Sequence, residues 1–226
     1  EYVRTPFADT SLYHLPDTLD KEVAVFLSDA LPTGHEIGVQ YGKVTPGSDI
    51  MIVGAGPVGM GVLLTSQFYS PATITVVDMD DNRLAKAREM GATHTLNPAN
   101  DDVNARVGDI TEGRGVDTAI EAVGLPATWK TCADNVKEGG NIAVVGVHGK
   151  PVEFPLQEMW IKNLTVTTGL VNANTTGMLL KAVQNSDLPI KSLATHHFTW
   201  DQLAEAWETF SHADEHQAMK VIIDNA

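Results

Sequence analysis

The sequence has 226 residues, 43% of them hydrophobic and 19% charged, with 29 acidic side chains against 15 Lys plus Arg. That length fits one domain with appendages, and the apolar fraction excludes a disordered chain. The formal net charge of −14 argues against a nucleic-acid partner, because phosphate backbones are bound by clustered Lys and Arg.

Residues 2–5 and 12–15, bracketed by Pro6 and Pro16, read as two short strands. Residues 20–31 read as one helix, capped by Asp20, with Val23, Phe26, Leu27 and Ala30 on one face. From residue 48 to about 168, short β-branched runs alternate with longer helical patterns. The predicted strands are 50–53, 73–77, 93–96, 116–120, 142–145 and 164–168. The predicted helices between them are 57–69, 80–90, 103–111, 126–136 and 156–161. Runs this apolar suit strands covered on both faces. Asp80 or Asp81 suits the cap of the second of these helices, and Gly91 sits where a left-handed stop belongs. The alternation predicts an α/β fold, a doubly wound parallel six-stranded Rossmann sheet. After it come helices at 176–186 and 200–210 and a strand at 219–223. Neither end looks able to fold alone, so both are expected to pack against the nucleotide-binding part.

No apolar run nears the roughly 20 residues of a membrane span. The lone cysteine, Cys132, excludes an intramolecular disulfide and a multi-cysteine zinc site. It lies in a helical pattern near Trp129 and Val136 and reads as a buried small apolar residue. The start at Glu1 resembles neither a signal peptide nor an initiator methionine, which leads to two expectations: a cytoplasmic protein and a truncated chain.

The segment Met51-Ile-Val-Gly54-Ala55-Gly56-Pro57-Val58-Gly59 runs from a predicted strand into a predicted helix. In a dinucleotide-binding turn, Gly54 permits the tight bend, Gly56 admits a pyrophosphate, and Gly59 lets helix and strand approach. Pro57 suits a first helical turn, and the free N–H groups there face the phosphates. Asp78 ends the next strand, 19 residues past the third glycine, which matches the dinucleotide fingerprint. A carboxylate there accepts from ribose hydroxyls and repels a 2′-phosphate, and Asp80 and Asp81 add to the repulsion. NAD is therefore expected over NADP.

Gly54 to Gly59, Asp78, Gly113-Arg-Gly-Val-Asp117, Glu121-Ala-Val-Gly124, Gly139-Gly140 and Val144-Val-Gly-Val147 together resemble the medium-chain zinc-dependent alcohol dehydrogenases. Asp29-Ala-Leu-Pro-Thr33-Gly34 joins them. The resemblance implies that 1–30 and 196–226 are remnants of a GroES-like catalytic domain and that 31–195 is the dinucleotide-binding domain. It implies hydride transfer between an alcohol, or its aldehyde or ketone, and NAD, with a zinc ion polarising the substrate oxygen. Of the zinc ligands only the last in chain order has a counterpart, Asp29; read alone, it is a helix-end acid. Thr33 corresponds to the threonine beside the nicotinamide, and Arg83 to a basic residue at the adenosine ribose. Val123, Val145 and Val147 correspond to strand ends lining the cofactor cleft, the Val145 carbonyl facing the carboxamide. Lys220 corresponds to the basic residue that reaches the pyrophosphate. The plainer readings stay open, with Arg83 and Lys220 as solvated charges and the valines as core. A non-catalytic nucleotide-binding or redox-sensing module is the alternative function, and a methyltransferase fits less well.

Adjacent His196 and His197 point to opposite faces of a strand and cannot chelate one ion. His212 and His216 can share a helix face, but the segment reads as a solvated helix end. His35, next to the Thr33-Gly34 turn, is read as structural or solvent-exposed, with the nicotinamide pocket as the alternative. The strand at 164–168 would leave an unprotected sheet edge, so a homodimer through it, or a higher oligomer, is expected.

Overall fold

The computed structural model describes residues 3–224. Six parallel strands form one sheet: β1 (Asp49–Val53), β2 (Thr73–Val77), β3 (His94–Leu96), β4 (Val116–Glu121), β5 (Val136–Val144) and β6 (Thr165–Thr168). Their order is β3-β2-β1-β4-β5-β6, so the chain reverses its winding between β1 and β4. A crevice opens at the carboxyl ends of those two strands, where doubly wound sheets bind ligands. The expected α/β Rossmann sheet is therefore present.

Strand β1 shows why the fold takes this form. Ile50 and Ile52 belong to one core, Met51 and Val53 to another, and all four are at most 3% exposed. Period-2 alternation with both faces buried requires helices on each side. The second core is covered by α6 (Val103–Ile110) and α7 (Pro126–Asn135), which supply Val107, Trp129 and Cys132. Burial pushes the Cys132 thiol well above its ordinary range, in keeping with its reading as an apolar residue. The first core is covered by α3 (Ala30–Thr33), α4 (Pro57–Ser66) and α9 (Thr176–Gln184), through Leu31, Leu63, Leu64 and Leu179. Between β2 and β3, α5 (Asp81–Glu89) adds Leu84 and Ala87 to that core. Asp80 caps α5 by accepting from the N–H groups of Asn82 and Arg83, and Gly91 beyond its end has a φ of +108°.

Strand β5 begins at residue 136 rather than 142. Val116 pairs with Val136 and Thr118 with Asn141, so the register shifts through Lys137-Glu-Gly-Gly140. That bulge conceals the strand's start from an apolar-run reading.

The flanks correct several expectations. Residue 2 lies outside the described part, and neither 3–5 nor 12–15 forms a strand; a short helix α1 (Ala8–Ser11) lies between them. Every residue from 3 to 14 is exposed and none of them pairs with a strand, and an unpaired strand is not stable in water. The expected helix at 20–31 is two helices, α2 (Lys21–Phe26) and α3. Pro32 explains the break: without an N–H, and with a ring that crowds the preceding turn, it is tolerated only in a first turn. Asp20 does cap α2, accepting from Glu22 N–H at 2.9 Å. Helix α3 runs on into a π-helical stretch, Gly34–Gln40, absent from the expectations. A short helix α8 (Leu156–Met159) precedes β6. Near the C-terminus, β7 (Ala194–Thr199) and β8 (Lys220–Asp224) form a separate parallel pair, with α10 (Leu203–Ser211) between them in sequence. No helix among the described residues is long and apolar enough to cross a membrane.

Candidate dinucleotide cleft

The glycine turn leaves β1 at Gly54, whose φ of +108° is the left-handed region that favours glycine. Its N–H donates to Val77 O at 2.8 Å, tying the turn to β2. Gly59 lies against this bend: an added Cβ would collide with the Gly54 carbonyl. At Gly56 a Cβ would meet nothing within 4 Å, so the backbone there is open to a ligand. Pro57 follows at the start of α4, and the first intrahelical bond runs from Met60 N–H to Gly56 O. The N–H groups of Val58 and Gly59 consequently have no intrahelical acceptor. An open backbone with a free-donor helix start suits a pyrophosphate.

Asp78 stands across this turn. Its Oδ2 accepts from Ala55 N–H at 2.7 Å and its Oδ1 from Asp80 N–H at 2.9 Å. Each oxygen retains a lone pair for a ribose hydroxyl. Asp81 accepts from Asn97 Nδ2 at 2.8 Å, and Arg83 Nε lies 3.6 Å from Asp80 Oδ2. The guanidinium is thus shared with an acid that disfavours a second phosphate.

A cleft of about 480 Å³ brings Gly54, Gly56, Asp78, Arg83 and Val123 together. Pro57, Val58 and Gly59 open α4 and are not among the walls of this cleft. Met79 and Leu125, 74% and 52% exposed, add apolar walls that sequence reasoning missed. The available signal was Met79's position directly after Asp78, where an exposed large apolar side chain is otherwise unfavourable. Thr33, Val145, Val147 and Lys220 are not among the cleft walls. Thr33 Oγ1 donates to Asp29 Oδ1 at 3.0 Å, and Val145 N–H donates to Glu121 O at 2.8 Å. Val147 is 90% exposed, and Lys220 opens β8.

Asp29 is exposed at the start of α3. Among the described residues no group of three or more His, Cys, Asp or Glu side chains can hold a metal. A catalytic zinc takes three protein ligands, of which Asp29 is the one the resemblance implies here.

His35 is fully buried, its Nε2 3.5 Å from Tyr69 Oη. It is a structural histidine, and neither the solvent nor the nicotinamide alternative describes it. Desolvation holds its pKa below the usual value, against an opposing pull from Glu36. The unfolded chain takes up this proton below about pH 6.5, while the folded chain resists it to lower pH. Stability is therefore full above pH 6.5 and falls as pH drops from there toward the lowered folded-state value. The expected slope is at most on the order of 1 kcal/mol per pH unit. Urea unfolding at pH 7.5, 6.5 and 5.5 checks it; a His35→Leu variant with an unchanged slope would refute the assignment.

The sheet order, the glycine turn and the acid at the second strand define a Rossmann-type α/β protein of the dehydrogenase kind. The chain belongs to the zinc-binding dehydrogenase family, whose model matches residues 57–185. An alcohol dehydrogenase of Cupriavidus necator is 30% identical over 215 residues, covering 93% of this chain and 58% of the relative. A sorbitol dehydrogenase of Bacillus subtilis is 32% identical over 202 residues, 87% of this chain and 56% of the relative. The solved zinc dependent alcohol dehydrogenase 2 from Streptococcus pneumonia is 50% identical with a TM-score of 0.94. That match covers 99% of this chain and 64% of the other. The chain spans less than two thirds of each of these proteins.

Proposed function

We propose that this chain is the NAD-binding part of an oxidoreductase that interconverts an alcohol and its aldehyde or ketone. The observation that carries the reading is Asp78 bonded to the glycine turn beside an open Gly56. The backbone at Gly56 and the free N–H groups of α4 hold the pyrophosphate, with Lys220 as a further cation. Asp78 binds the adenosine ribose hydroxyls, with Arg83 beside them. Val123 and Val147 flank the nicotinamide half, Thr33 packs near the ring, and the Val145 carbonyl takes the carboxamide. Bound NAD supplies the hydride acceptor. Residues 31–195 form the cofactor domain in this reading, and 1–30 and 196–226 belong to the catalytic domain.

Asp29 is proposed as one ligand of the family's zinc. A single carboxylate does not hold zinc, so the chain by itself is expected to bind NAD without zinc-dependent turnover. Calorimetric NAD titration and an assay on small alcohols test both halves. Absence of NAD binding would sink the cofactor assignment, and zinc-dependent turnover would sink the incomplete-site argument. Asp78→Asn is expected to weaken NAD about tenfold or more, from the loss of a charge-assisted bond, and to narrow the preference over NADP. Equal affinities for the two cofactors in the unsubstituted chain would overturn the role of Asp78.

A cytoplasmic location and a homodimer complete the reading. Among the described residues strand β6 ends the sheet and pairs with β5 alone, leaving a backbone edge to which a second copy can add. Light scattering that finds a monomer at micromolar concentration would count against the dimer.

A further inference from the structure

Glu121 closes β4 with its side chain fully buried. Its Oε1 accepts from the N–H groups of Val123 at 3.0 Å and Gly124 at 2.8 Å, and from the Thr128 hydroxyl at 2.6 Å. Its Oε2 faces His148 Nε2 at 3.1 Å. The His148 Nδ1 is buried without a partner, so the ring is oriented through Nε2. The backbone carbonyl of Glu121 also accepts from Val145 and Gly146 N–H, at 2.8 and 3.1 Å. One residue thereby holds the loop after β4 and the loop after β5.

Those two loops meet backbone to backbone. A Cβ on Gly124 would strike the Val147 carbonyl, and one on Gly146 would lie 2.5 Å from Glu121 Oε2. The second loop therefore rests directly on the carboxylate. Oε1 already has three donors, and His148 is the hydrogen-bond partner of Oε2. A buried carboxylate oxygen left unpaired is costly, and it draws in water or moves its surroundings.

The direction of the cleft gives this pair a consequence. Asp78 on the β2 side takes the adenosine half, and Gly56 marks the pyrophosphate. The nicotinamide half must continue toward the ends of β4 and β5, where residues 145–148 stand. We propose that Glu121 and His148 are positioning residues that fix the 145–148 loop and so set the affinity for the nicotinamide half of the cofactor. Neither side chain touches the cofactor; each acts through the loop backbone. The inference rests on the NAD-binding reading.

Calorimetric titrations of NAD and of AMP, which carries only the adenosine end, separate the two ideas. The chain as it stands is expected to bind both. His148→Leu is expected to weaken NAD about tenfold, the effect of one lost bond to a buried charge, and to leave AMP within about twofold. His148→Gln places an amide N–H near the position of Nε2 and is expected to recover NAD affinity. A purely structural role would lower both affinities together or give no rescue. Should the leucine variant fail to fold, His148→Asn, too short to present a donor there, takes its place with the same expectations. Equal losses for NAD and AMP, an unchanged NAD affinity, or failure of the glutamine rescue overturns the positioning role and leaves the NAD reading standing. A wild-type chain that binds neither ligand overturns both.

Discussion

Glu36→Ala is expected to lower the unfolding free energy by about 1–3 kcal/mol, the cost of leaving hydrogen-bond donors without their buried acceptor. Glu36 is 5% exposed in the π-helical stretch, and its carboxylate takes four donors from one distant segment. These are the N–H groups of Asn172 at 2.9 Å, Ala173 at 3.2 Å and Thr175 at 2.9 Å, and the Thr175 hydroxyl at 2.8 Å. Burial would raise this carboxyl, but the donors from Thr175, Asn172 and Ala173 outweigh it and hold the pKa below the ordinary value. The anion is thus the folded form. Its stabilisation is present above the unfolded carboxyl value of about 4.3 and is lost as pH falls through the lowered folded value. Alanine leaves three backbone N–H groups without their acceptor, and Ala173 is held at a φ of +56° that those bonds help to maintain. Glu36→Gln keeps one acceptor oxygen but turns an NH2 toward backbone donors, so an intermediate loss is expected. Thermal unfolding checks the series, since each 1 kcal/mol moves the midpoint by about 2–4 °C in a chain of this size. A loss below about 1 kcal/mol for Glu36→Ala would show that water replaces the carboxylate without cost.

That carboxylate also marks where sequence reading stopped. The strand at residues 73–77 was legible because a doubly covered strand must be apolar throughout, and the observed β2 has those bounds. The α5 cap was legible because Asp80 acts on residues two and three places ahead. Both signals are local. Gly34, Gly38 and Pro32 obscured the helical character of 30–40, and the bonds that stabilise it come from residues 172–175. The sequence left His35 open between structural and solvent-exposed because its burial depends on packing that includes Tyr69. The N-terminal strands were read from composition, yet strands exist only when paired. At the site the same division holds. The glycine turn was legible because backbone geometry demands particular residues there. Met79, just past β2, and Leu125 and Thr128, at the start of α7, converge on the cleft from segments far apart in the chain, so nothing in their own neighbourhoods announces them.

Gly59→Ala and Gly56→Ala are expected to part stability from binding. At Gly59 the new methyl would overlap the Gly54 carbonyl oxygen and stand 2.9 Å from its carbon. Both are backbone atoms, so no flexible side chain can yield. Nor can Gly54 move freely, because its N–H is fixed to Val77 O and the next N–H to Asp78. Relief requires shifting α4 away from β1, although its own Met60, Leu63 and Leu64 are buried in the core. Overpacking of this kind costs about 1–3 kcal/mol, at times more, and the upper end is expected where only backbone can give. The displaced turn also moves the free N–H groups of α4, so NAD affinity falls together with stability. Gly56 has a φ of −72°, available to any residue, and its methyl would enter open space. Gly56→Ala is therefore expected to unfold within about 1 kcal/mol of the unsubstituted chain, as uncrowded surface substitutions do. Its methyl fills the space through which a pyrophosphate would reach the backbone, so NAD affinity should fall about tenfold or more, the cost of a weakened charge-assisted contact. Paired melting and calorimetric curves on the two variants decide the matter. If Gly56→Ala binds NAD as tightly as the unsubstituted chain, the phosphates do not lie against this turn.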